Sequence, residues 1–274
     1  MGVLNATPDS FSGDGLGDTG EAVVCSAKVQ ARAFAAAGVD IIDIGGVSTR
    51  PGADPLTEAA ERDRVVPVIK AVRAALPDMP LSVDTYRAEV AEAALEAGAD
   101  IVNDVWGLRA DPAMGPLVAA RGAPAILMHN RSTPGQVVID ERIGGQYQAP
   151  DYGDLLTEIA TDLAALADAA GTVGIEPNQI ILDPGLAFGK TTRQNLDLID
   201  QLDILKALGY PLLVGPSRKS FIGQILDLPI EDRLEGTAAA VAIAIARGAD
   251  IVRVHDVEAM TRVVRMTDAI VRGR

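Results

Sequence analysis

The chain repeats one pattern from end to end: a short apolar run, a polar or glycine-rich turn, and then an amphipathic helical segment. The residues from Pro211 to Gly215 form one such run, without a charged side chain, and they predict a strand buried on both faces. Eight of these units follow one another, and no composition break between them marks a linker. The apolar runs begin near residues 3, 39, 80, 99, 123, 179, 211 and 249.

Eight strand–helix units in roughly 250 residues are typical of a (β/α)8 TIM barrel. We therefore predict a single α/β barrel domain over residues 1–274. A doubly wound open sheet is the alternative architecture. Such a sheet usually has fewer strands and a nucleotide-type glycine fingerprint, whereas Gly185 to Gly189 provides only G-x-x-x-G.

Composition and charge narrow the classes of function. Hydrophobic residues make up 48% of the chain and aromatic residues only 3%, which suits aliphatic helices packed on a parallel sheet. The net charge of −14 argues against nucleic acid or an anionic membrane surface as the main partner. No apolar run has the length of a membrane span and no leader peptide opens the chain, so we expect a soluble, cytoplasmic protein.

The single cysteine, Cys25, excludes an internal disulfide and gives no sign of a cysteine-based metal site. It lies in an alanine-rich helical stretch, where we expect a buried, unreactive side chain.

Polar side chains stand at the carboxyl ends of the predicted strands. In a barrel these ends meet on one face, where the loops build active sites. Each residue taken singly also has a structural explanation, such as capping a turn or bracing a loop. Eight of them on one rim favour a functional site. They are Asn5, Asp43, Asp84, Asn103, His129, Asp183, Arg253 and His255.

The segment from Ser217 to Ser220 is basic at the predicted start of a helix. Pro216 ends the preceding strand, and Ser217 is expected to cap the helix. Cations are unfavourable at this end of a helix, because the peptide dipoles already place partial positive charge there. Arg218 and Lys219 are explained if an anion lies in front of them. A solvated basic turn explains this segment, taken alone, equally well.

Motifs spread over the whole chain resemble one family, and they are more specific together than singly. They are residues 1–12 (MGVLNATPDSFS), 43–52 (DIGGVSTRPG), 82–85 (SVDT), 102–104 (VND), 127–129 (LMH), 182–185 (LDPG), 188–190 (FGK), 217–220 (SRKS) and 253–256 (RVHD). On these residues, from the first strand to the last helix, the chain resembles the dihydropteroate synthases, the pterin-binding enzymes of folate biosynthesis.

Four features depart from the family pattern. Residues 12–15 read Ser-Gly-Asp-Gly where the family tends to have Asp before the glycines, and Val47 stands where Glu is usual. Ala187 replaces a common glycine, and the loop from Gly135 to Gly153 is longer than expected. None of these changes removes a charged group that we assign to chemistry. Val47 and the first-loop change concern packing behind the site and loop closure.

The resemblance implies a condensation. A dihydropterin that carries a hydroxymethyl pyrophosphate reacts with para-aminobenzoate, and the products are dihydropteroate and pyrophosphate. In the family the C–O bond largely breaks first, and the aniline nitrogen attacks a pterin-stabilised cation. Because the amine is already nucleophilic, catalysis consists of positioning and charge stabilisation. Mg²⁺ is the implied cofactor.

The resemblance also implies which residues serve each ligand, with Asp84, Lys219 and Arg253 in the catalytic roles. The pterin site is expected to comprise Asp84, Asn103, Met128, Asp183, Phe188, Lys219 and Arg253. The pyrophosphate site is expected to comprise Asn5, Arg50, Arg253 and His255, with Asn5 also as the Mg²⁺ ligand. The para-aminobenzoate site is expected to comprise Phe11, Ser48, Thr49, Arg50, Pro51 and Ser220.

With these assignments, the anion at the basic helix start is the carboxylate of para-aminobenzoate, and Ser220 receives it. Lys219 serves the pterin, and Arg218 is expected to form only an outward ion pair. The family further implies a homodimer with the last helices at the interface. It is also the target of sulfonamides, which mimic para-aminobenzoate.

Two other functions remain as alternatives. A pterin-binding methyltransferase domain shares the barrel and the pterin-reading Asp and Asn positions, but it would not need the Ser-Thr-Arg-Pro, Ser-Arg-Lys-Ser or Arg-Val-His motifs. A non-catalytic homologue that binds a pterin is the second alternative. The presence of Asn5, Asp84, Asp183, Lys219 and Arg253 argues against it.

Overall fold

The strands follow the predicted order along the chain. The computed structural model describes residues 1–6, 20–46, 56–132, 137–140, 144–147 and 151–273. Within these ranges eight short parallel strands build the central ring: β1 (Gly2–Asn5), β2 (Ile42–Gly45), β3 (Leu81–Asp84), β4 (Ile101–Asp104), β5 (Ala125–Met128), β8 (Ile180–Asp183), β9 (Leu213–Val214) and β10 (Ile251–Val252). Two further strands, β6 (Val137–Asp140) and β7 (Gly144–Tyr147), pair with each other in an antiparallel hairpin.

The parallel strands close into a ring. One sheet has the order β1-β2-β3-β4-β5-β8, and β9 pairs with β10 in a second sheet. Two single bridges join the sheets, because Leu182 pairs with Leu212 just before β9 and Gly2 pairs with Val254 just after β10. The backbone N–H of Val3 donates to the carbonyl oxygen of Val254 at 3.0 Å along the second seam. The predicted (β/α)8 barrel is therefore confirmed.

Helices follow the strands and cover the outside of the ring. They are α1 (Gly20–Ala37), α2 (Glu58–Ala75), α3 (Ala88–Ala97), α4 (Met114–Arg121), α5 (Leu155–Thr172), α6 (Thr192–Asp200), α7 (Leu202–Lys206), α8 (Ser220–Leu226), α9 (Leu234–Ala246) and α10 (Val257–Val271). The single helix predicted from Gln194 to Leu208 is divided into α6 and α7, because Gln201 leaves the helical conformation with ψ at 29°. Among the described residues, none of the helices has both the length and the apolar character that crossing a bilayer requires.

The core has an outer layer between helices and ring and an inner layer inside the ring. On α2 the buried residues Val65, Val68 and Val72 repeat at helical spacing, so one face of the helix packs on the strands. A separate buried cluster contains Ile101, Ile126 and Leu213 from β4, β5 and β9, together with Met1 just before β1. That origin places the cluster in the barrel interior, where side chains of alternate strands meet.

The prediction that Cys25 is buried is wrong, because its side chain is exposed. Helix α1 buries Ala27, Ala31 and Phe34, which lie at i, i+4 and i+7. Cys25 falls outside this stripe, and an alanine-rich helix gives little indication in sequence of which stripe will be buried.

The long segment from Gly135 to Gly153 had no predicted structure. Its described residues contain the β6–β7 hairpin, in which Val137 lies opposite Tyr147 and Asp140 lies opposite Gly144.

Candidate active site

The barrel brings most of the predicted rim residues to one end of the ring. The prediction is wrong for Asp43, which is the second residue of β2 and lies two positions below that end, because β2 continues to Gly45. The parallel register sets Asn5, Asp84 and Asn103 at one level, through Gly45 on the strand between β1 and β3. Asp183 ends β8 opposite the last residue of β5. Polar groups from at least four strands thus converge, as expected at the carboxyl ends of barrel strands.

Arg253 occupies the centre of this group. Its Nε donates to Oδ2 of Asp43 at 2.6 Å, and its Nη2 donates to Oδ2 of Asp84 at 2.6 Å. Nδ2 of Asn103 donates to the same oxygen of Asp43 at 3.2 Å. Asp43 is fully buried, and it was predicted as a rim residue without a ligand. The structure gives it a contact role, because it holds the guanidinium that the resemblance assigns to the substrates.

The cluster is electrostatically asymmetric. Burial raises the pKa of Asp84 to about 7; the Arg253 guanidinium opposes this shift, and the charge of Asp43 adds to it. Burial lowers the pKa of Arg253, but the charges of Asp43 and Asp84 outweigh burial and raise it above its ordinary value. The guanidinium is therefore always charged, whereas the Asp84 carboxyl changes its charge near neutral pH.

Glu61 supports the turn that follows Asp84, although no motif predicted a role for it. Its buried carboxylate accepts from the Thr85 hydroxyl at 2.6 Å and from Nη1 of Arg87 at 2.6 Å. A signal was present, because Glu61 lies four residues before Val65 on the apolar stripe of α2. A charged residue in such a stripe indicates a buried partner.

Lys219 and Phe188 form the other side of the site. Nζ of Lys219 lies 4.4 Å from the centroid of the Phe188 ring, within the range of a cation–π contact. Phe188 belongs to a small buried cluster with Val105 and Met128. Oδ1 of Asp183 accepts from the backbone N–H of the glycine two residues on at 2.7 Å. The arrangement presents an apolar surface beside one acceptor and one cation, which suits a flat heteroaromatic ring.

Neither of these charged groups has its ordinary pKa. Burial and the charge of Arg253 lower the pKa of Lys219 to about 8, against the opposing charges of Asp183 and Asp84. Burial raises the pKa of Asp183 to about 6, against its backbone hydrogen bond and the nearby cations. At pH 7 most Asp183 side chains are then ionised and most Lys219 side chains are protonated.

Lys190 fixes the loop that carries Phe188. Its buried ammonium donates to the carbonyl oxygens of Gly185 at 2.9 Å and Phe188 at 3.1 Å. It lies 3.2 Å from Nδ1 of His129, whose Nε2 lies 3.0 Å from Oδ2 of Asp162 on α5. Burial, and to a smaller extent the charge of Lys190, lower the pKa of His129 to about 3. The imidazole is therefore neutral, and its Nδ1 accepts a hydrogen bond from Lys190. His129, predicted as a rim residue, thus supports a loop.

The same loop contains one departure from the family pattern, Ala187 in place of a common glycine. Gly185 and Ala187 both adopt left-handed backbone conformations, with φ at +70° and +65°. A Cβ at Gly185 would collide with the carbonyl oxygen of His129, so only glycine fits there. Ala187 tolerates its conformation at some cost, and its N–H donates to Oδ1 of Asn195 at 2.6 Å.

The prediction that Ser217 caps a helix is wrong. Helix α8 begins at Ser220, and Lys219 takes the N-cap position without a side-chain hydrogen bond. Oγ of Ser217 instead accepts from the backbone N–H of His255 at 3.1 Å and lies 3.1 Å from its Nδ1. The serine therefore joins the loop after β9 to the loop after β10, while Ser220 is half-buried at the start of α8.

Five predicted ligand residues lie outside the described part of the chain, as do Val47 and the altered first loop. They are Phe11, Ser48, Thr49, Arg50 and Pro51.

Comparison with known proteins covers nearly all of the chain. The family model described as pterin binding enzyme matches residues 1–255. The dihydropteroate synthase of Synechocystis sp. is 49% identical over 273 residues, which make up 99% of this chain and 90% of the relative.

Solved structures agree with this result. The dihydropteroate synthase of Clostridium difficile, solved in the presence of pteroic acid, is 42% identical with a TM-score of 0.87, over 99% of this chain and 96% of that chain. The Xanthomonas albilineans dihydropteroate synthase with 4-aminobenzoic acid is 40% identical with a TM-score of 0.86, over 98% and 92% of the two chains.

Proposed function

The chain belongs to the pterin binding enzyme family, and we propose that it catalyses the dihydropteroate synthase reaction as one barrel domain over residues 1–274. This transferase reaction joins 6-hydroxymethyl-7,8-dihydropterin pyrophosphate to para-aminobenzoate and gives 7,8-dihydropteroate and pyrophosphate. The observation that carries the proposal is the cluster of Asp84, Asp183, Lys219 and Arg253 beside the apolar surface of Phe188.

The pterin ring is read by groups at the ends of β4 and β8. Asp183 accepts hydrogen bonds from the amino group and a ring N–H, and Asn103 offers both a donor and an acceptor. Lys219 donates to the carbonyl edge, and the side chains of Phe188 and Met128, which belong to one buried cluster, line the pterin slot. Because Lys219 has lost part of its hydration, a hydrogen bond from it to the ring is stronger than it would be in water.

The reacting bond is the C–O bond between the pterin methylene and the pyrophosphate. As it breaks, its electron pair leaves with the pyrophosphate oxygen, and positive charge develops on the pterin. The carboxylate of Asp84 stabilises that charge, while Arg253 and His255 face the departing anion. The amine nitrogen of para-aminobenzoate then forms the C–N bond and loses a proton to solvent.

Mg²⁺ is the proposed cofactor. Among the described residues no group of three or more His, Cys, Asp or Glu side chains is placed to hold a metal ion. Mg²⁺ commonly takes one or two ligands from the protein and the rest from substrate oxygens and water. The amide oxygen of Asn5, at the end of β1, would hold such an ion, which when bound neutralises charge on the pyrophosphate.

The para-aminobenzoate site is proposed at the start of α8, where Ser220 receives the carboxylate. The residues Phe11, Ser48, Thr49, Arg50 and Pro51 complete it, and Arg50 also serves the pyrophosphate. A sulfonamide that mimics the second substrate would bind in the same place.

We extend the proposal to a cytoplasmic homodimer. Several large apolar side chains on α9 and α10 are exposed, including Ile243 at 48%, Met266 at 62% and Ile270 at 71%. Exposed apolar surface on neighbouring helices is typical of a protein–protein interface. Sedimentation equilibrium is expected to give twice the chain mass of 28.5 kDa. A monomer at micromolar concentration would contradict this part of the proposal.

One assay tests the reaction itself. The purified protein is incubated with the dihydropterin pyrophosphate, para-aminobenzoate and Mg²⁺, and pyrophosphate and dihydropteroate are both quantified. We expect equal amounts of the two products, each dependent on para-aminobenzoate. Pyrophosphate release that does not depend on the amine, or no release at all, rejects the proposal. Pterin binding without turnover would indicate one of the two alternatives, a non-catalytic homologue or a pterin-binding methyltransferase domain.

A further inference from the structure

Arg218 has no assigned role in the proposed reaction, yet its neighbours hold it from several directions. Its backbone is left-handed, with φ at +58°. A residue with a Cβ loses free energy in this conformation and keeps it only where surrounding contacts impose it. The contacts of Arg218 therefore indicate what the turn is built to do.

Two of these contacts come from the region of α9. The backbone N–H of Arg218 donates to Oγ1 of Thr237 at 3.1 Å, and Thr237 is fully buried. The carbonyl oxygen of Arg218 accepts from Nη1 of Arg233 at 3.0 Å. Arg233 is itself buried and passes so close to Gly223 that a Cβ there would collide with the guanidinium. Buried groups therefore hold both polar atoms of the Arg218 backbone.

The third contact comes from the loop that precedes α10. Nε of Arg218 donates to Oδ2 of Asp256 at 2.9 Å, and Nη2 donates to Oδ1 at 2.5 Å. The pair is bidentate, and both side chains are partly buried. Such a fork-on-fork pair fixes orientation as well as distance. Arg218 does form the expected ion pair, but the pair is partly buried and does not point outward into solvent.

Asp256 directly follows His255, to which Ser217 is bonded. Two adjacent ties, Ser217 to His255 and Arg218 to Asp256, therefore join the loops after β9 and β10. The first loop carries Lys219, and the second follows Arg253.

We propose that Arg218 is a positioning residue that sets Lys219 and Ser220 against Arg253 and His255 through its pair with Asp256. The inference rests on the proposed function, because Lys219 would bind the pterin ring and Arg253 the pyrophosphate of the same substrate. The chain reverses at Arg218, and the N–H of Lys219 then donates to the carbonyl oxygen of Pro216 at 3.2 Å. Loss of the tie would let Lys219 move away from Arg253, Asp84 and Asp183.

Activity and the state of Lys219 are measured in parallel in Arg218→Ala, Asp256→Asn and the double variant. We expect kcat/KM for both substrates to fall about 100-fold in each single variant, as for a small misplacement of a binding group. The double variant is expected to be no worse than either single one, since both remove the same tie. Arg218→Lys, which keeps the charge but not the fork, should recover part of the activity.

The second readout is the pKa of Lys219, measured by competitive acetylation followed by mass spectrometry in the absence of substrates. In Arg218→Ala it is expected to rise from about 8 towards the ordinary value of 10.5, because the ammonium regains water. Arg193→Ala is the matched control, since Arg193 forms an exposed ion pair with Asp197 on α6 and should change neither readout.

The outcomes separate the two proposals. If the parent protein shows no amine-dependent pyrophosphate release, the proposed function fails, while the pKa of Lys219 still tests the positioning role. If the parent is active, kcat/KM of Arg218→Ala within twofold of the parent overturns the inference. A Lys219 pKa that is unchanged in Arg218→Ala also overturns the inference. This holds even if activity falls, because a fall in proportion to the loss of folded protein indicates a structural role only.

Discussion

The two cations of the site lie in opposite surroundings. Arg253 is held between two carboxylates, with 2.6 Å contacts to Asp43 and Asp84. Lys219 lies over the ring of Phe188, and Arg253 acts on it as a neighbouring like charge. The pKa of Arg253 is raised above its ordinary value, whereas burial lowers that of Lys219 to about 8.

The difference indicates a division of tasks. Arg253 has a permanent charge, and its two carboxylate partners fix the position of the guanidinium in the barrel mouth. Lys219 carries a charge that its surroundings do not fully stabilise. A ligand that offers Lys219 a hydrogen-bond acceptor is therefore bound strongly. Activity falls at high pH, where Lys219 loses its proton.

Removing the weakly stabilised cation is expected to have the largest effect. Lys219→Ala should lower kcat/KM at least about 100-fold, because the site loses a preorganised donor and charge. Pyrophosphate release under saturating para-aminobenzoate measures this. Lys70→Ala, on the exposed face of α2, is the matched control and should behave like the parent. Near-normal kinetics in Lys219→Ala would remove Lys219 from the site.

Removing the charge of Asp43, one of the two carboxylates around Arg253, is expected to have a smaller effect on activity and to change stability and pH dependence as well. Asp43→Asn should lower kcat/KM about tenfold and the free energy of unfolding by about 2 kcal/mol, since a buried charged hydrogen bond is weakened. The charge of Asp43 raises the pKa of Asp84, so its removal should move the acid limb of kcat/KM to lower pH. The exposed Asp40→Asn is the control. An acid limb that stays in place or moves to higher pH would contradict the proposed coupling.

Loosening the loop beneath Lys219 is expected to have the smallest effect. In Lys190→Met the carbonyl oxygens of Gly185 and Phe188 lose their donor. The KM for the pterin substrate should rise up to about tenfold, while kcat changes less. The free energy of unfolding should fall by only about 1 kcal/mol, because burial already disfavours the ammonium and lowers its pKa to about 7. Steady-state kinetics and urea denaturation measure the two effects. A large loss of kcat with unchanged KM would indicate a direct chemical role instead.

Much of the site could be predicted because strand ends are local features. Asp84, Asn103 and Asp183 each end or nearly end an apolar run, and a closed barrel must bring such ends to one face. The eight repeated strand–helix units predicted the barrel, because each unit is also a local pattern in the sequence. The predicted roles of Phe11 and of residues 48–51 remain predictions, since these residues lie outside the described ranges.

The contacts that tune the site could not be predicted, because they join distant parts of the chain. Asp43 and Arg253 are 210 positions apart, and Lys190 and His129 are 61 apart. Ser217 obeys the local rule for a helix cap, but a tertiary partner 38 residues away takes its hydroxyl group. A serine hydroxyl that could cap a helix thus bonds to a distant backbone group when the fold brings one close.

The pH dependence of para-aminobenzoate-dependent pyrophosphate release tests the contrast between the two cations most directly. The parent should give a bell-shaped kcat/KM profile, with an acid limb set by Asp84 near pH 7 and Asp183 near pH 6, and an alkaline limb set by Lys219 near pH 8. In Lys219→Arg, whose guanidinium stays protonated, the residual activity should lose the alkaline limb. An alkaline limb that is the same in both proteins would contradict the account.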